Sequence, residues 1–228
     1  MSIVAGHVNV ELRIRLFTAA DSSVIVDWVR SDSELHWLAP SLDPPLTDAK
    51  VLSWLKPNGS AFIAESDSSD GPIAYGELNP MSADPGHLWL GHCLVRPDQR
   101  GLGIGREFVR VLLRDAFEHQ SAHRVSLVVF PGNHSAIHCY LSVGFTFAGE
   151  EFHHFRRNHR ERLLRLEAKP PRPSVAAVVR SKCDEIVLNY PAQGVEAESE
   201  LSSRFSGSTA TAANTPSRMP LRICETPL

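Results

Sequence analysis

The stretch Arg-Pro-Asp-Gln-Arg-Gly-Leu-Gly-Ile-Gly-Arg, residues 96–106, decides the fold of this chain. It follows a short apolar run, 88–95, with the composition of a buried strand, and Pro97 ends that strand because proline cannot donate to a ladder. After it, apolar residues recur at helical spacing from Ile104 to Leu112. Three glycines at alternate positions therefore lie where a strand turns into a helix. Because glycine admits positive φ and a helix N-terminus offers free N–H groups, the stretch predicts a phosphate-binding loop.

A second stretch predicts the partner of this loop. The β-branched and apolar run 123–130 is typical of a strand, and it leads into Pro-Gly-Asn-His-Ser-Ala-Ile-His-Cys-Tyr, residues 131–140. If this continuation is a helix, Asn133, Ile137 and Tyr140 lie near one face, at i, i+4 and i+7. Asparagine is also among the best helix N-caps, so Asn133 has a purely structural alternative.

Together the two stretches resemble the acyl-CoA site of the GCN5-related N-acetyltransferases, the GNAT superfamily. The first matches the family pattern Q/R-x-x-G-x-G/A from Arg100 to Gly105, and the second matches its strand, N-x-x-A and following tyrosine. The segments 12–15 and 162–166 are similar to the branch that includes ribosomal-protein N-terminal acetyltransferases, a likeness of fold that names no substrate. The resemblance implies an α/β fold with a mixed, mostly antiparallel sheet of about seven strands. It also implies that the sheet is splayed between strands four and five, with helices on both faces.

The resemblance also implies how acetyl-CoA, the co-substrate, is held. Backbone N–H groups of the glycine-rich loop bind the pyrophosphate, and Arg100 or Arg106 adds positive charge. The backbone of the fourth strand binds the pantetheine arm and polarises the thioester carbonyl, while Asn133 matches the family asparagine that bonds the same arm. The cofactor-binding residues implied in this way are Cys93, Leu94, Val95, Arg100, Gly101, Gly103, Ile104, Gly105, Arg106 and Asn133.

Acetyl transfer to an amine needs a proton acceptor for the amine and a proton donor for the departing thiolate. By resemblance Tyr140 is the general acid, and a core tyrosine with a satisfied hydroxyl is the structural alternative. An alkyl amine has a pKa of about 10.4, so it arrives protonated and must lose a proton. Glu77 on the predicted third strand and His92 on the fourth are the candidate bases, and a water chain is the alternative to both.

Polar residues elsewhere in the sequence do not identify the acceptor substrate. The proline-rich stretch 31–45 predicts a loop that borders the acceptor pocket in this family, and its carboxylates, Glu34 among them, either attract a cationic amine or are simply solvated. His134 and His138 have the spacing of two zinc ligands, but no third ligand is evident and no metal is expected. The acceptor is therefore an amine, on a small molecule or a protein N-terminus. A non-catalytic acyl-CoA-binding module is the alternative function.

Length and composition indicate one medium domain with an appended tail. The chain has 228 residues, 43% of them hydrophobic, and a formal net charge of −3. Neither nucleic-acid nor membrane binding is indicated, and we expect a cytoplasmic monomer or homodimer. Residues 1–168 form the predicted acetyltransferase domain. The composition changes at Lys-Pro-Pro-Arg-Pro, and the proline-rich tail, 169–228, is predicted to be disordered.

Overall fold

The computed structural model describes residues 11–67, 69–155 and 159–171, which form a seven-stranded sheet with helices on both faces. The strands are β1 (Arg13–Leu16), β2 (Ser60–Glu65), β3 (Pro72–Met81), β4 (Asp84–Val95), β5 (Arg124–Val129), β6 (Thr146–His154) and β7 (Arg160–Ala168). The helices are α1 (Ser22–Trp28), α2 (Asp32–Leu38), α3 (Asp48–Leu52), α4 (Ile104–Arg114) and α5 (His134–Ser142), and a π-helical turn, Asp115–His119, extends α4.

The sheet opens between its two middle strands. Its order is β1-β2-β3-β4-β5-β7-β6, and every neighbouring pair is antiparallel except β4 and β5. These two strands pair in parallel only from His87 with Arg124 to Trp89 with Ser126. Beyond Trp89 they diverge, so that within the described ranges β4 has no strand partner on this side up to Val95. The predicted mixed sheet, with its splay between the fourth and fifth strands, is confirmed.

Two apolar cores hold the helices against opposite faces of the sheet. On one face α4 packs so closely on β3 that a Cβ added at Gly76 would lie 3.1 Å from Phe108 and 3.2 Å from Leu112. On the other face the helices α1–α3 enclose Tyr75 together with Trp54. Because side chains alternate along a strand, Tyr75 and Gly76 face different layers. The predicted phosphate-binding loop thus leads into the α4 layer, while Tyr75 belongs to the layer of α1–α3.

One predicted loop contains a helix. The sequence predicts a loop over 31–45, but α2 occupies Asp32–Leu38. Its N-cap, Ser31, accepts a hydrogen bond from the Glu34 N–H at 3.2 Å, and the Glu34 carboxylate accepts one from the Arg30 N–H at 3.0 Å. Ser-x-x-Glu is a helix-starting pattern, and the prolines that favoured a loop come only after the helix has ended. The prediction of a loop is therefore wrong for the first half of this stretch.

The predicted tail lies outside the described residues from position 172 onward, and its disorder stays a prediction. The last strand, β7, ends at Ala168, where the domain is predicted to end. In the described part of the chain, no helix is long and apolar enough to span a bilayer. Cys93 and Cys139, the two described cysteines, are free thiols.

Candidate active site

The glycine-rich loop joins β4 to α4 in a conformation that requires glycine. Gly101 and Gly103 have φ values of +79° and +85°, and Gly103 is the left-handed N-cap of α4. A Cβ at Gly101 would meet nothing within 4 Å, so backbone conformation rather than crowding requires glycine there. At Gly105 a Cβ would lie 3.4 Å from Val95 and 3.7 Å from Cys139, so its absence lets α4 lie close to β4 and α5. The first turn of α4 thus follows the end of β4 at which the splay opens.

The two arginines of the loop have different surroundings. Arg106 lies in the first turn of α4, with Nη2 3.8 Å from a Cβ built at Gly103, and none of the described carboxylates pairs with it. The Arg100 guanidinium is instead engaged by protein groups: Nε donates to the Val95 carbonyl at 3.0 Å and Nη1 to Glu34 at 2.6 Å. The positive charge left for an anion in this loop is therefore that of Arg106.

At the diverging end of β4, backbone N–H groups point into the opening between β4 and β5. The Arg96 N–H bonds the carbonyl of Ile73 on β3 at 2.8 Å, and strand backbone groups alternate between their two neighbours. The backbone N–H groups of Val95 and Cys93 therefore point away from β3, toward the splay. The backbone N–H group of Leu94 points toward β3.

Tyr140 lies on the α4 side of the splay. Its hydroxyl lies next to the thiol of Cys93 on β4, and its ring packs edge-on against Phe145 with centroids 5.6 Å apart. Burial, with a smaller effect of the two neighbouring thiols, raises the pKa of Tyr140 well above its ordinary value. The phenol therefore stays protonated at neutral pH, which is the state that a general acid needs.

The start of α5 combines a structural role with a free donor. Asn133 is the N-cap of this helix, and its Oδ1 accepts a hydrogen bond from the Ala136 N–H at 3.2 Å. Its amide NH₂ makes no hydrogen bond to another described residue, so the cap leaves a donor for a ligand. His134 and His138 are exposed on the same helix. Among the described residues, no group of three or more ligand-type side chains is placed to hold a metal ion.

A β-bulge in β4 brings the two candidate bases together. Tyr75 pairs with Leu94 but Glu77 pairs with Gly91, so two residues of β4 oppose one residue of β3. His92 lies in the bulge with φ of +39°, and its Nδ1 is 2.9 Å from Glu77 Oε1. The sequence leaves these residues as separate alternatives, whereas the structure makes them a hydrogen-bonded pair.

Glu77 is a buried carboxylate held by three donors. It is 1% exposed, and besides His92 it accepts from the Tyr75 hydroxyl at 2.6 Å and the Asn79 amide at 3.0 Å. Burial raises the pKa of Glu77, but the charge of His92 and the three hydrogen bonds outweigh burial, so the pKa lies below its ordinary value. Because an ionised carboxylate only accepts hydrogen bonds, Nδ1 of His92 carries a proton toward Glu77, and Nε2 is the ring nitrogen that Glu77 does not engage.

Trp54 fixes the imidazole from the other side. Its ring stacks on that of His92, with centroids 4.2 Å apart and an angle of 8° between the planes. The side chain of His92 is 24% exposed and that of Glu77 only 2%, so the imidazole is the member of the pair that a substrate can reach. Trp54 is not among the residues predicted for the site, because its apolar position just after α3 is equally typical of a core residue.

A second acidic group lies at the rim of the same face. Glu161 on β7 is 3.1 Å from Nε2 of His36, which belongs to α2 and packs on Phe130 with ring centroids 4.9 Å apart. Four residues further along β7, Arg165 lies over the ring of Trp89 on β4. Because residues an even number apart share a face, Glu161 is on the side of the sheet that carries the base candidates. We call Glu161, His36 and Phe130 the rim.

Comparisons with known proteins agree with this architecture. A model of the acetyltransferase (GNAT) family matches residues 23–145. Spermine/spermidine N(1)-acetyltransferase of Bacillus subtilis (strain 168) is 28% identical over 141 residues, which are 61% of this chain and 90% of the relative. Spermidine N-acetyltransferase from Vibrio cholerae, solved with CoA and spermine, has a TM-score of 0.58 at 18% identity and covers 69% of this chain and 95% of its own. Ribosomal-protein-alanine N-acetyltransferase from Brucella melitensis has a TM-score of 0.56 at 21% identity, covering 69% and 99%.

The fold and the loop are those of an acyl-CoA-type transferase domain. The chain belongs to the GNAT acetyltransferase family, since the match to residues 23–145 spans 123 of its 228 residues. The predicted family is confirmed. The likeness to the ribosomal-protein branch holds for the fold, and a polyamine acetyltransferase is similar to the same degree.

Proposed function

We propose that this chain transfers an acetyl group from acetyl-CoA to a small alkyl amine that carries more than one positive charge. The observation that carries the proposal is the Glu77–His92 pair beside the opening between β4 and β5, with Tyr140 on the opposite face. The names of the curated relatives, spermine and spermidine acetyltransferases, support this class of acceptor. A module that only binds acyl-CoA has no use for a buried carboxylate that holds a reachable imidazole.

The first step deprotonates the acceptor. Its ammonium gives a proton to Nε2 of His92, directly or through one water, and the amine nitrogen gains the lone pair that it needs for attack. The imidazolium that forms is stabilised by the Glu77 carboxylate on Nδ1, as the aspartate does in Ser-His-Asp sites. Trp54 keeps the ring in this orientation.

The second step transfers the acetyl group. The amine nitrogen attacks the thioester carbon, and the negative charge that develops on the carbonyl oxygen is met by backbone N–H groups of β4, those of Cys93 and Val95. The carbon–sulfur bond then breaks, the nitrogen loses its second proton to solvent as the amide forms, and the sulfur takes a proton from the Tyr140 hydroxyl. The proton gained by His92 leaves to solvent and Tyr140 is reprotonated from solvent, so each turnover releases one proton and the charges balance.

The charge of the acceptor side favours an amine with a second cationic group. One carboxylate, Glu77, lies beneath His92, and another, Glu161, lies at the rim, 3.1 Å from His36. From strand spacing and rise alone, without the added width of the splay, the Cα atoms of His92 and Glu161 would be on the order of 15 Å apart. An extended alkyl polyamine has ammonium groups spread over such a distance, whereas a simple alkyl monoamine has only one.

We expect acetyl-CoA turnover with spermidine or spermine to be about 10- to 100-fold more efficient than with an alkyl monoamine of similar length, because one more charged hydrogen bond is typically about 1.5–3 kcal/mol. CoA release is followed with a thiol reagent, with peptides that have free N-termini in the same panel. Equal efficiency for monoamine and polyamine would contradict the acceptor class. Binding of acetyl-CoA without release of CoA for any amine would favour the non-catalytic module.

Acetyl-CoA binding is tested separately at the loop. At a ligand concentration of about 100 times Kd, acetyl-CoA should stabilise the fold by about 2.7 kcal/mol, a rise in Tm of roughly 5–10 °C. Gly103→Glu should abolish most of this rise, because a carboxylate then lies where the pyrophosphate binds. Gly71→Glu is the matched control, since Gly71 also has positive φ, +72°, and open space around it but lies in the β2–β3 hairpin. A full rise in Tm for the folded Gly103 variant would refute the loop assignment.

A further inference from the structure

The Arg100 guanidinium is the most extensively bonded side chain of the loop. Besides its bonds to the Val95 carbonyl and Glu34 Oε1, Nη2 donates to the Trp28 carbonyl at 3.1 Å and to Glu34 Oε2 at 3.4 Å. One planar group thus contacts the last residue of β4, the last residue of α1 and the first turn of α2. No other side chain of the loop connects these three elements in the described part of the chain.

These bonds leave Arg100 little capacity for a phosphate. A guanidinium has five N–H donors, and four of those of Arg100 are already directed at carbonyl and carboxylate oxygens. The hydrogen bonds from Arg100 outweigh the effect of burial and hold the pKa of Glu34 below its ordinary value, so that carboxylate is ionised at neutral pH. The charge of Arg100 is therefore balanced within the protein, whereas that of Arg106 has no partner among the described carboxylates.

The helix that Arg100 holds also forms the acceptor rim. Glu34 lies in the first turn of α2, and His36, two residues later, bonds Glu161 on β7 and packs on Phe130 at the end of β5. A continuous series of contacts therefore runs from the phosphate loop through Arg100 and α2 to the rim. α2 has only seven residues, so a displacement at its first turn displaces His36 as well.

We propose that Arg100 is a positioning residue that couples the two substrate sites: it holds α2, and with it the acceptor rim, to the loop that binds acetyl-CoA. The proposal rests on the proposed function, since it takes the rim to be part of the acceptor site. It assigns the pyrophosphate to the backbone of the loop and to Arg106, and it gives Arg100 a different task from the one implied by its place in the motif.

The coupling predicts opposite kinetic effects for the two arginines. Arg100→Gln, which keeps the family pattern, should raise the KM for the amine about tenfold, with kcat and the Kd for acetyl-CoA within about threefold of wild type. Arg106→Gln is the matched control and should weaken acetyl-CoA binding about tenfold without changing the KM for the amine. Glu34→Gln should reproduce Arg100→Gln, and the double variant should be no worse than either single one, because both remove the same contact.

One readout needs no acceptor, so failure of the coupling is distinguishable from failure of the proposed function. In wild type, acetyl-CoA should slow hydrogen exchange of the α2 amides, and in Arg100→Gln this protection should be lost while acetyl-CoA still binds, as calorimetry measures. If Arg100→Gln weakens acetyl-CoA binding about tenfold and leaves the amine KM and the α2 protection unchanged, Arg100 is a phosphate ligand and the coupling is refuted. If the coupling holds but no amine is acetylated, the proposed function alone fails.

Discussion

His92→Asn should lower kcat/KM for the amine by about 100-fold at pH 7 and leave the affinity for acetyl-CoA unchanged, because it removes only the proton acceptor. Asparagine suits the position: it tolerates the positive φ of 39°, and its amide NH₂ can donate to Glu77 in place of Nδ1. The fold and the buried carboxylate are thus preserved while the basic nitrogen is lost.

The pH dependence of the defect identifies its cause. Below a pKa of about 10.4 the neutral fraction of an alkyl amine rises about tenfold per pH unit, so the need for a protein base falls as pH rises. The ratio of wild-type to His92→Asn rates should therefore shrink between pH 7 and pH 9.5. His138→Asn, an exchange of the same type at an exposed position of α5, should change nothing. A defect of constant size at every pH would show that His92 acts through structure and not as a base.

Tyr140→Phe should lower kcat by roughly 10- to 1000-fold, with the Kd for acetyl-CoA little changed. A thiol has a pKa of about 8.5 and tyrosine about 10, so proton donation to the thiolate is uphill by about 2 kcal/mol even before burial raises the phenol pKa further. The thiolate also leaves without help at a finite rate. The acid is therefore useful but not indispensable, and an effect at the lower end of the range for general acids is expected.

The substitution is conservative enough to separate chemistry from packing. Phenylalanine keeps the edge-on contact with Phe145 and deletes only the hydroxyl next to Cys93. The measurement is single-turnover acetyl transfer with saturating acetyl-CoA, beside a calorimetric Kd for acetyl-CoA. Unaltered turnover in the variant would leave Tyr140 as a core residue only.

The parts of the molecule that the sequence predicts correctly depend on local requirements. A positive φ at Gly101 and Gly103 can be expected from glycine at a strand-to-helix junction, because only glycine adopts it freely. Likewise, the apolar spacing from Ile104 to Leu112 specifies the buried stripe of α4 without any tertiary information. These local signals, which occur in the same order as in the family, are sufficient to predict the fold.

The contacts between distant residues follow from features that no local pattern contains. The Glu77–His92 bond depends on a bulge that shifts the β3–β4 register, and the stack of Trp54 on His92 depends on how α3 lies over the sheet. The place of Arg100 in the motif predicts a phosphate contact, but its side chain reaches Glu34, 66 residues away in sequence. Register shifts and long side chains decide where charges meet, and both appear only in three dimensions.

The alternation of side chains along β4 has one more consequence. It leaves consecutive residues on opposite sides of the sheet: His92 contacts the α1–α3 side, and Cys93, with Tyr140, contacts the α4 side. In the proposed reaction the strand therefore insulates the base from the acid, and the two cannot simply neutralise each other by exchanging a proton. Because each group has its own neighbours, acceptor preference can be altered on one side while the machinery that handles the thioester, on the other, stays intact.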